Sequence, residues 1–149
     1  MARRPRSSLS ASFFHVHNRS VGKAHIFTRP NDYRAFLAIL REGLTRHPVR
    51  LLSYCVLSNH WHLVLGPNST FELSKLMHWV TVTHSVRWRH RGRTVGEGPV
   101  YQGRFKGHPI DALDVLMRTC RYVERNALRA GLVRRAQDWP WCSLSERLR

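Results

Sequence analysis

Two short apolar runs, RLLSYCVL (50–57) and HWHLVLG (60–66), are separated only by Ser58-Asn59. A link that short joins two neighbouring strands as a hairpin. The hairpin lies between two amphipathic helical patterns. Upstream, Phe36, Leu37, Leu40 and Leu44 repeat at helical spacing within 31–46, with Asn31 or Asp32 available as the cap. Downstream, Leu73, Leu76, Met77, Val80, His84 and Trp88 share one side of a helix expected from Thr70 to Arg91, with Ser69 and Glu72 as a capping box and Gly92 as the stop. Two extended pieces around a turn at Ser20-Val21-Gly22 are expected within 13–27. A loop over 92–99, a strand in VYQGRFKG (100–107) and a third helix over 110–127 follow. A hairpin set between helices predicts an α+β fold, an antiparallel sheet backed by helices. The C-terminal tail, with Trp139 and Trp141 flanking Pro140, is expected to pack back as a lid.

A chain of 149 residues suits one domain with a proper core. Residues 1–12, with Arg3, Arg4 and Arg6, read as a flexible basic arm, and 13–149 as the single domain. No apolar run is long enough to span a bilayer. The basic N-terminus has no apolar segment behind it, so it does not read as a signal peptide and a cytoplasmic location is expected. Cys55, Cys120 and Cys142 form no CxxC pair, which argues against a zinc ribbon or a disulfide framework and for small buried hydrophobes. Lys and Arg total 25 against 9 Asp and Glu, a formal charge of +16. Such an excess calls for an anionic partner, and nucleic acid is the default. An anionic membrane surface is the rival, but the basic residues are spread along the chain and no basic amphipathic helix stands alone.

Two constellations carry candidate chemistry. In a strand alternate side chains share a face, so His60, His62 and Val64 point one way and Trp61, Leu63 and Leu65 the other. Two imidazoles side by side can hold a metal ion. They can equally be polar residues on a solvated face, and His15-Val16-His17 repeats the spacing, so spacing does not choose between the pairs. The other histidines, His108 among them, read as packing or surface. On the third helix Leu113, Leu116, Met117, Cys120, Val123 and Ala127 form the apolar side, and Tyr122 falls opposite it. Arg118, Arg125, Asn126 and Arg129 surround Tyr122 at helical neighbour positions. Nearby cations favour a phenolate and attract phosphate, as a tyrosine nucleophile would require. Trp61, Trp79 and Trp88 are expected in the core rather than under nucleobases.

Taken in order, YCVLSNHWHLVL (54–65), YQGRFKG (101–107), RYVERNALRAGLV (121–133) and DWPWCS (138–143) resemble the REP-associated tyrosine transposases, single-tyrosine nucleases with a His-hydrophobic-His (HUH) pair. The similarity runs from about residue 13 to 143. It implies a ferredoxin-like antiparallel sheet with the HUH strand central. His60 and His62 would then be the metal ligands, Asn126 would complete the site, and the ion would be Mg²⁺ or Mn²⁺. Tyr122 would be the nucleophile, leaving a 5′-phosphotyrosine. Arg104, Lys106, Arg118, Arg125 and Arg129 are the candidate DNA contacts. The implied partner is single-stranded or hairpin DNA of the REP type, met in the nucleoid by a monomer or a homodimer. The family's Asn-Pro after the tyrosine is Asn126-Ala127 here, which predicts a helix running slightly further. The alternative functions are a domesticated hairpin-binding protein that does not cut, and a sequence-neutral nucleic-acid chaperone.

Overall fold

The computed structural model describes residues 12–92 and 98–149. The basic arm and the central part of the 92–99 loop therefore lie outside the described residues, apart from Ser12. Four strands, β1 (Phe13–Arg19), β2 (Val49–Val56), β3 (His60–Pro67) and β4 (Lys106–Ile110), form one antiparallel sheet in the order β2-β3-β1-β4. With α1 (Pro30–Arg46) between β1 and β2 and α2 (Thr70–Gly92) between β3 and β4, this is the ferredoxin-like arrangement. The expected α+β class holds, and β3 is an interior strand. Three further helices follow: α3 (Leu113–Glu124), the one-turn α4 (Asn126–Arg129) and α5 (Ser143–Arg147). Among the described residues no helix is long and apolar enough to cross a membrane.

Alternation along the strands divides the interior in two. Phe14, Val16, Trp61, Leu63 and Leu65 meet Phe36, Leu40, Leu73, Leu76, Met77 and Val80 of α1 and α2 on one face. Cys55, Val64 and Ile110 meet Leu116, Val123 and Ala127 of α3 and α4 on the other. The sheet is thus covered on both faces, but α3 and α4 cover only part of the second. All three cysteines are free, with Cys55 and Cys142 buried and Cys120 partly so. Trp61 is wholly buried, and Trp79 and Trp88 pack against the same core as expected.

Both sheet edges are protected. Beside β2, Val56 N–H donates to Trp141 O (2.8 Å) and Trp139 Nε1–H to Val56 O (2.9 Å), so the C-terminal tail lies along that edge. The fold-back expected from the tryptophans is real, and it closes a strand edge. At the other edge, β4 carries Pro109, a residue suited to a strand with one side unpaired.

Several boundaries differ from expectation. Among the described residues, only the first of the two extended pieces expected within 13–27, the one before Ser20, forms a strand. The chain then reverses through Gly22 (φ 61°) and Lys23 (φ 56°), and the second extended piece attaches to the hairpin turn instead, Ile26 and Phe27 N–H donating to Ser58 O. The strand expected at 100–107 begins only at Lys106, because Val100 to Phe105 wrap around the end of β1 through a single bridge, Ser20 to Tyr101. Helix α1 begins at Pro30 rather than after Asn31 or Asp32, and Asp32 serves it from inside by accepting from the Arg29 N–H (3.0 Å). Half of the α2 capping box forms: Ser69 Oγ accepts from Glu72 N–H (3.2 Å), while the Glu72 carboxylate turns to His47. The third helix is shorter than 110–127 and breaks at Arg125, whose φ and ψ are −96° and 8°. Losing the family proline therefore does not extend it. Its buried stripe is narrower too: Leu113 and Met117 are 75% and 56% exposed, while Val115, Leu116, Cys120 and Val123 pack into the core on that face.

Candidate active site

The uncovered part of the second sheet face is a cleft of about 610 Å³ lined by His17, Asn18, Arg19, His60, His62, Gln102, Gly103, Arg104, Lys106, Tyr122 and Asn126. Among the described residues three cations line it and no acidic side chain does. Strand pairing builds the floor. His62 on β3 stands opposite His17 on β1, and His15 stands opposite His108 on β4. Four imidazoles from three strands thus share one face with His60. His15 Nε2 lies 2.9 Å from His62 Nδ1, and His17 Nε2 lies 3.2 Å from His108 Nε2. His60 and His62 have ring centroids 5.2 Å apart with planes nearly perpendicular.

Helix α3 brings Tyr122 over this floor. Its ring centroid is 6.0 Å from that of His15 and 6.3 Å from that of His62, edge-on to both. The side chain remains 45% exposed, so a ligand in the cleft can reach the hydroxyl. The Arg129 guanidinium lies 3.6 Å from the ring centroid, a close cation–π contact. Asn126 opens α4 directly after the break at Arg125, and its buried side chain has an Nδ2 with no hydrogen-bond partner. Buried N–H donors rarely go unpaired, so this one calls for an acceptor such as water or a phosphate oxygen, and with the amide turned over the same position would offer its carbonyl oxygen to a cation.

Burial disfavours protonation of His60 and His62. Desolvation, helped by Arg19 and His17, lowers His60 to about 4. Desolvation lowers His62 to about 2, with His15, His60 and His17 adding to it. Two neutral rings with a buried amide nearby suit a divalent cation, which needs lone pairs rather than N–H groups. Among the described residues no three His, Cys, Asp or Glu side chains form a ready cage. A cation held by His60 and His62 would therefore draw its remaining ligands from the Asn126 carboxamide, water or a bound phosphate.

Of the sequence candidates, the structure brings His60, His62, Tyr122, Asn126, Arg104 and Lys106 to one cleft, with Arg129 against the tyrosine ring. Arg118 and Arg125 are elsewhere. Arg118 pairs with Asp114 (3.3 Å), and Arg125 lines a separate groove with Leu52, Met117 and Leu128. Sequence reasoning missed Arg19, Gln102 and the imidazole of His108. The signal for Arg19 was strand parity, since it shares a face with His15 and His17.

Fold and cleft define an α+β protein whose cationic, histidine-floored site faces a helix-borne tyrosine, a layout suited to a phosphodiester ligand. The chain belongs to the IS200-like transposase family, whose model matches residues 9–126. Among solved structures it is similar to a REP-associated tyrosine transposase bound to a REP hairpin, with a TM-score of 0.74 and 14% identity over 98% of this chain and 84% of that one. It is also similar to a putative transposase from Deinococcus radiodurans R1, with a TM-score of 0.55 and 14% identity over 83% of this chain and 97% of that one. No curated protein matches.

Proposed function

We propose that this protein is a metal-dependent endonuclease and strand transferase for single-stranded DNA, acting on REP-type hairpins through Tyr122. The observation that carries the reading is Tyr122, half exposed on α3, standing over His62 in the cleft that the buried Asn126 also lines. The family and the hairpin bound to the similar structure support the substrate class. His60, His62 and Asn126 would hold Mg²⁺ or Mn²⁺, which supplies Lewis acidity to a scissile phosphate.

The chain's own groups do the rest. Arg104, Lys106 and Arg19 receive backbone phosphates at the cleft wall, and Arg129 backs the tyrosine. The phenolic oxygen of Tyr122 forms a bond to phosphorus, and the bond to the 3′-oxygen breaks. The phenolic proton is lost to solvent, and the departing oxygen takes up a proton to become a 3′-hydroxyl. The downstream strand stays attached as a 5′-phosphotyrosine. Attack by another 3′-hydroxyl reverses the step and joins new ends without a nucleotide energy source.

A hairpin oligonucleotide labelled at its 3′ end, incubated with Mn²⁺, tests this. Wild type should yield a denaturation-resistant protein–DNA adduct. Tyr122→Phe should bind the hairpin and give none, and His60→Ala should lose metal-dependent cleavage while keeping its fold. An adduct formed by Tyr122→Phe would remove Tyr122 from the reaction. Tight hairpin binding without cleavage by wild type would leave a non-cutting DNA-binding protein.

A further inference from the structure

The paired histidines are useful to a cation only if each presents a bare nitrogen to the cleft. A neutral imidazole carries its proton on one nitrogen and a lone pair on the other, and the partner of the first decides which is which. The Asn59 carboxamide settles this for His60. Asn59 Nδ2 donates to Lys23 O at 3.3 Å. A carbonyl can only accept, so that end of the amide is the NH₂ group and the other end is oxygen. Asn59 Oδ1 lies 2.7 Å from His60 Nδ1, and oxygen can only accept. His60 Nδ1 therefore carries the proton, and Nε2 is left bare.

His62 is held in a parallel way. Its Nδ1 lies 2.9 Å from His15 Nε2. The two ring planes differ by only 25°, with centroids 5.1 Å apart, so the rings meet nose to nose in a hydrogen bond rather than face to face. Asn59 lies outside the cleft, and His15 sits in its floor beneath Tyr122, whereas His60 and His62 open into it. Both partners thus engage the Nδ1 side of a cleft histidine.

We propose that Asn59 and His15 are positioning residues that hold His60 and His62 in the Nδ1–H tautomer with Nε2 free for the cation. The inference rests on the metal site proposed above. His62 donates its Nδ1–H to His15 Nε2, and His15 keeps its own proton on Nδ1. Without the partner, the ring can rotate or move its proton to Nε2, and the ligand is lost for part of the time. Outer partners of this kind are worth about ten- to a hundredfold in metal affinity.

The test uses the full chain without DNA. Mn²⁺ binding is measured by calorimetry for wild type, Asn59→Ala and His15→Ala, and for Asn59→Asp and His15→Gln, which keep an acceptor. Long-range ¹H–¹⁵N spectra of the metal-free proteins report the tautomers of His60 and His62. The alanine variants should bind Mn²⁺ about ten- to a hundredfold more weakly, with the acceptor-keeping variants restored toward wild type. Wild-type spectra should show both rings protonated on Nδ1, with Nε2–H signals gaining when a partner is removed. Unchanged affinity in both alanine variants, or Nε2-protonated rings in wild type, would overturn the proposal. Should an alanine variant fail to fold, the wild-type spectra still decide the tautomers. A wild type that binds no Mn²⁺ and forms no adduct defeats the nuclease reading instead, while the spectra report on the tautomers separately.

Discussion

Arg129 lies with its guanidinium 3.6 Å from the centroid of Tyr122, the side chain proposed to attack DNA. A planar cation there orients the ring and places positive charge where a phosphate must arrive. Arg129→Ala should slow adduct formation by at least about tenfold, with hairpin affinity changed much less. Arg129→Lys should recover only part of the rate, because an ammonium keeps the charge but not the planar stacking. Single-turnover adduct kinetics measure both, and an undiminished rate in Arg129→Ala would make the contact incidental. At this scale much of the site was readable beforehand. Strand parity put His60 and His62 on one face but offered His15 and His17 equally, and the resemblance chose between the pairs, while Tyr122 stood out by its place opposite the apolar stripe. Asn126 came from the resemblance. Arg118 and Arg125 were misplaced because helical neighbours of Tyr122 spread over a wide arc, and only one side of that arc faces the sheet. Asn59 was legible only as a turn residue, since its role depends on Lys23 reaching it from another part of the chain.

Close packing between elements sets what the scaffold tolerates. Gly43 of α1 sits where an added Cβ would come within 2.9 Å of Leu76 Cδ1 and 3.1 Å of both the Trp79 ring and Val80 Cγ2 of α2. Gly43→Ala should therefore destabilise the protein by about 1–3 kcal/mol through overpacking, against a helix-propensity gain of about 1 kcal/mol. Urea denaturation should show a lower midpoint, and a raised one would mean that α1 can move away from α2 freely. A second junction ties the tyrosine helix to the tail. The buried Glu124 carboxylate accepts from Ser143 Oγ (2.6 Å) and from both terminal nitrogens of Arg147. Because Arg147 is 54% exposed, its ion pair is worth less than a buried one. Glu124→Ala should cost about 1–3 kcal/mol, chiefly for the lost charge-assisted hydrogen bonds. Hydrogen exchange should rise first in 139–147, and uniform protection there would show that the tail is held without Glu124. These junctions join segments distant in sequence, which is why periodicity gave α1, α2 and the hairpin well but misjudged β4 and the end of α3. The start of β4 depends on where the 100–105 segment leaves β1. The break at Arg125 coincides with no proline and no glycine.

Over the whole molecule, a fold that keeps histidines dry acquires a dependence on acidity. His15, His60, His62 and His84 are all lowered below the ordinary histidine value, with desolvation the largest cause in each. His15 and His60 lie at about 4 and His84 at about 3. In the unfolded chain these rings titrate near 6.5. Between those values the unfolded chain binds protons that the native one refuses, so stability rises with pH across that window. Their contribution is fully present above about 6.5 and declines as pH falls through the window toward the native values. Two locations contribute: the cleft, and the interior, where His84 meets Tyr101 OH at 2.7 Å beneath α2. Urea midpoints measured at pH 7.5 and 5.0 should therefore fall on acidification. Mn²⁺, if held by the cleft histidines, should raise the midpoint by a similar amount at pH 7.5 and 5.0, because rings with native values of about 4 and about 2 offer bare nitrogens at both. It should leave the share of acid sensitivity that belongs to His84 untouched, so metal should not flatten the pH dependence. A midpoint equal at the two acidities would mean that the rings are hydrated in the folded protein, and the dry histidine floor would have to be abandoned.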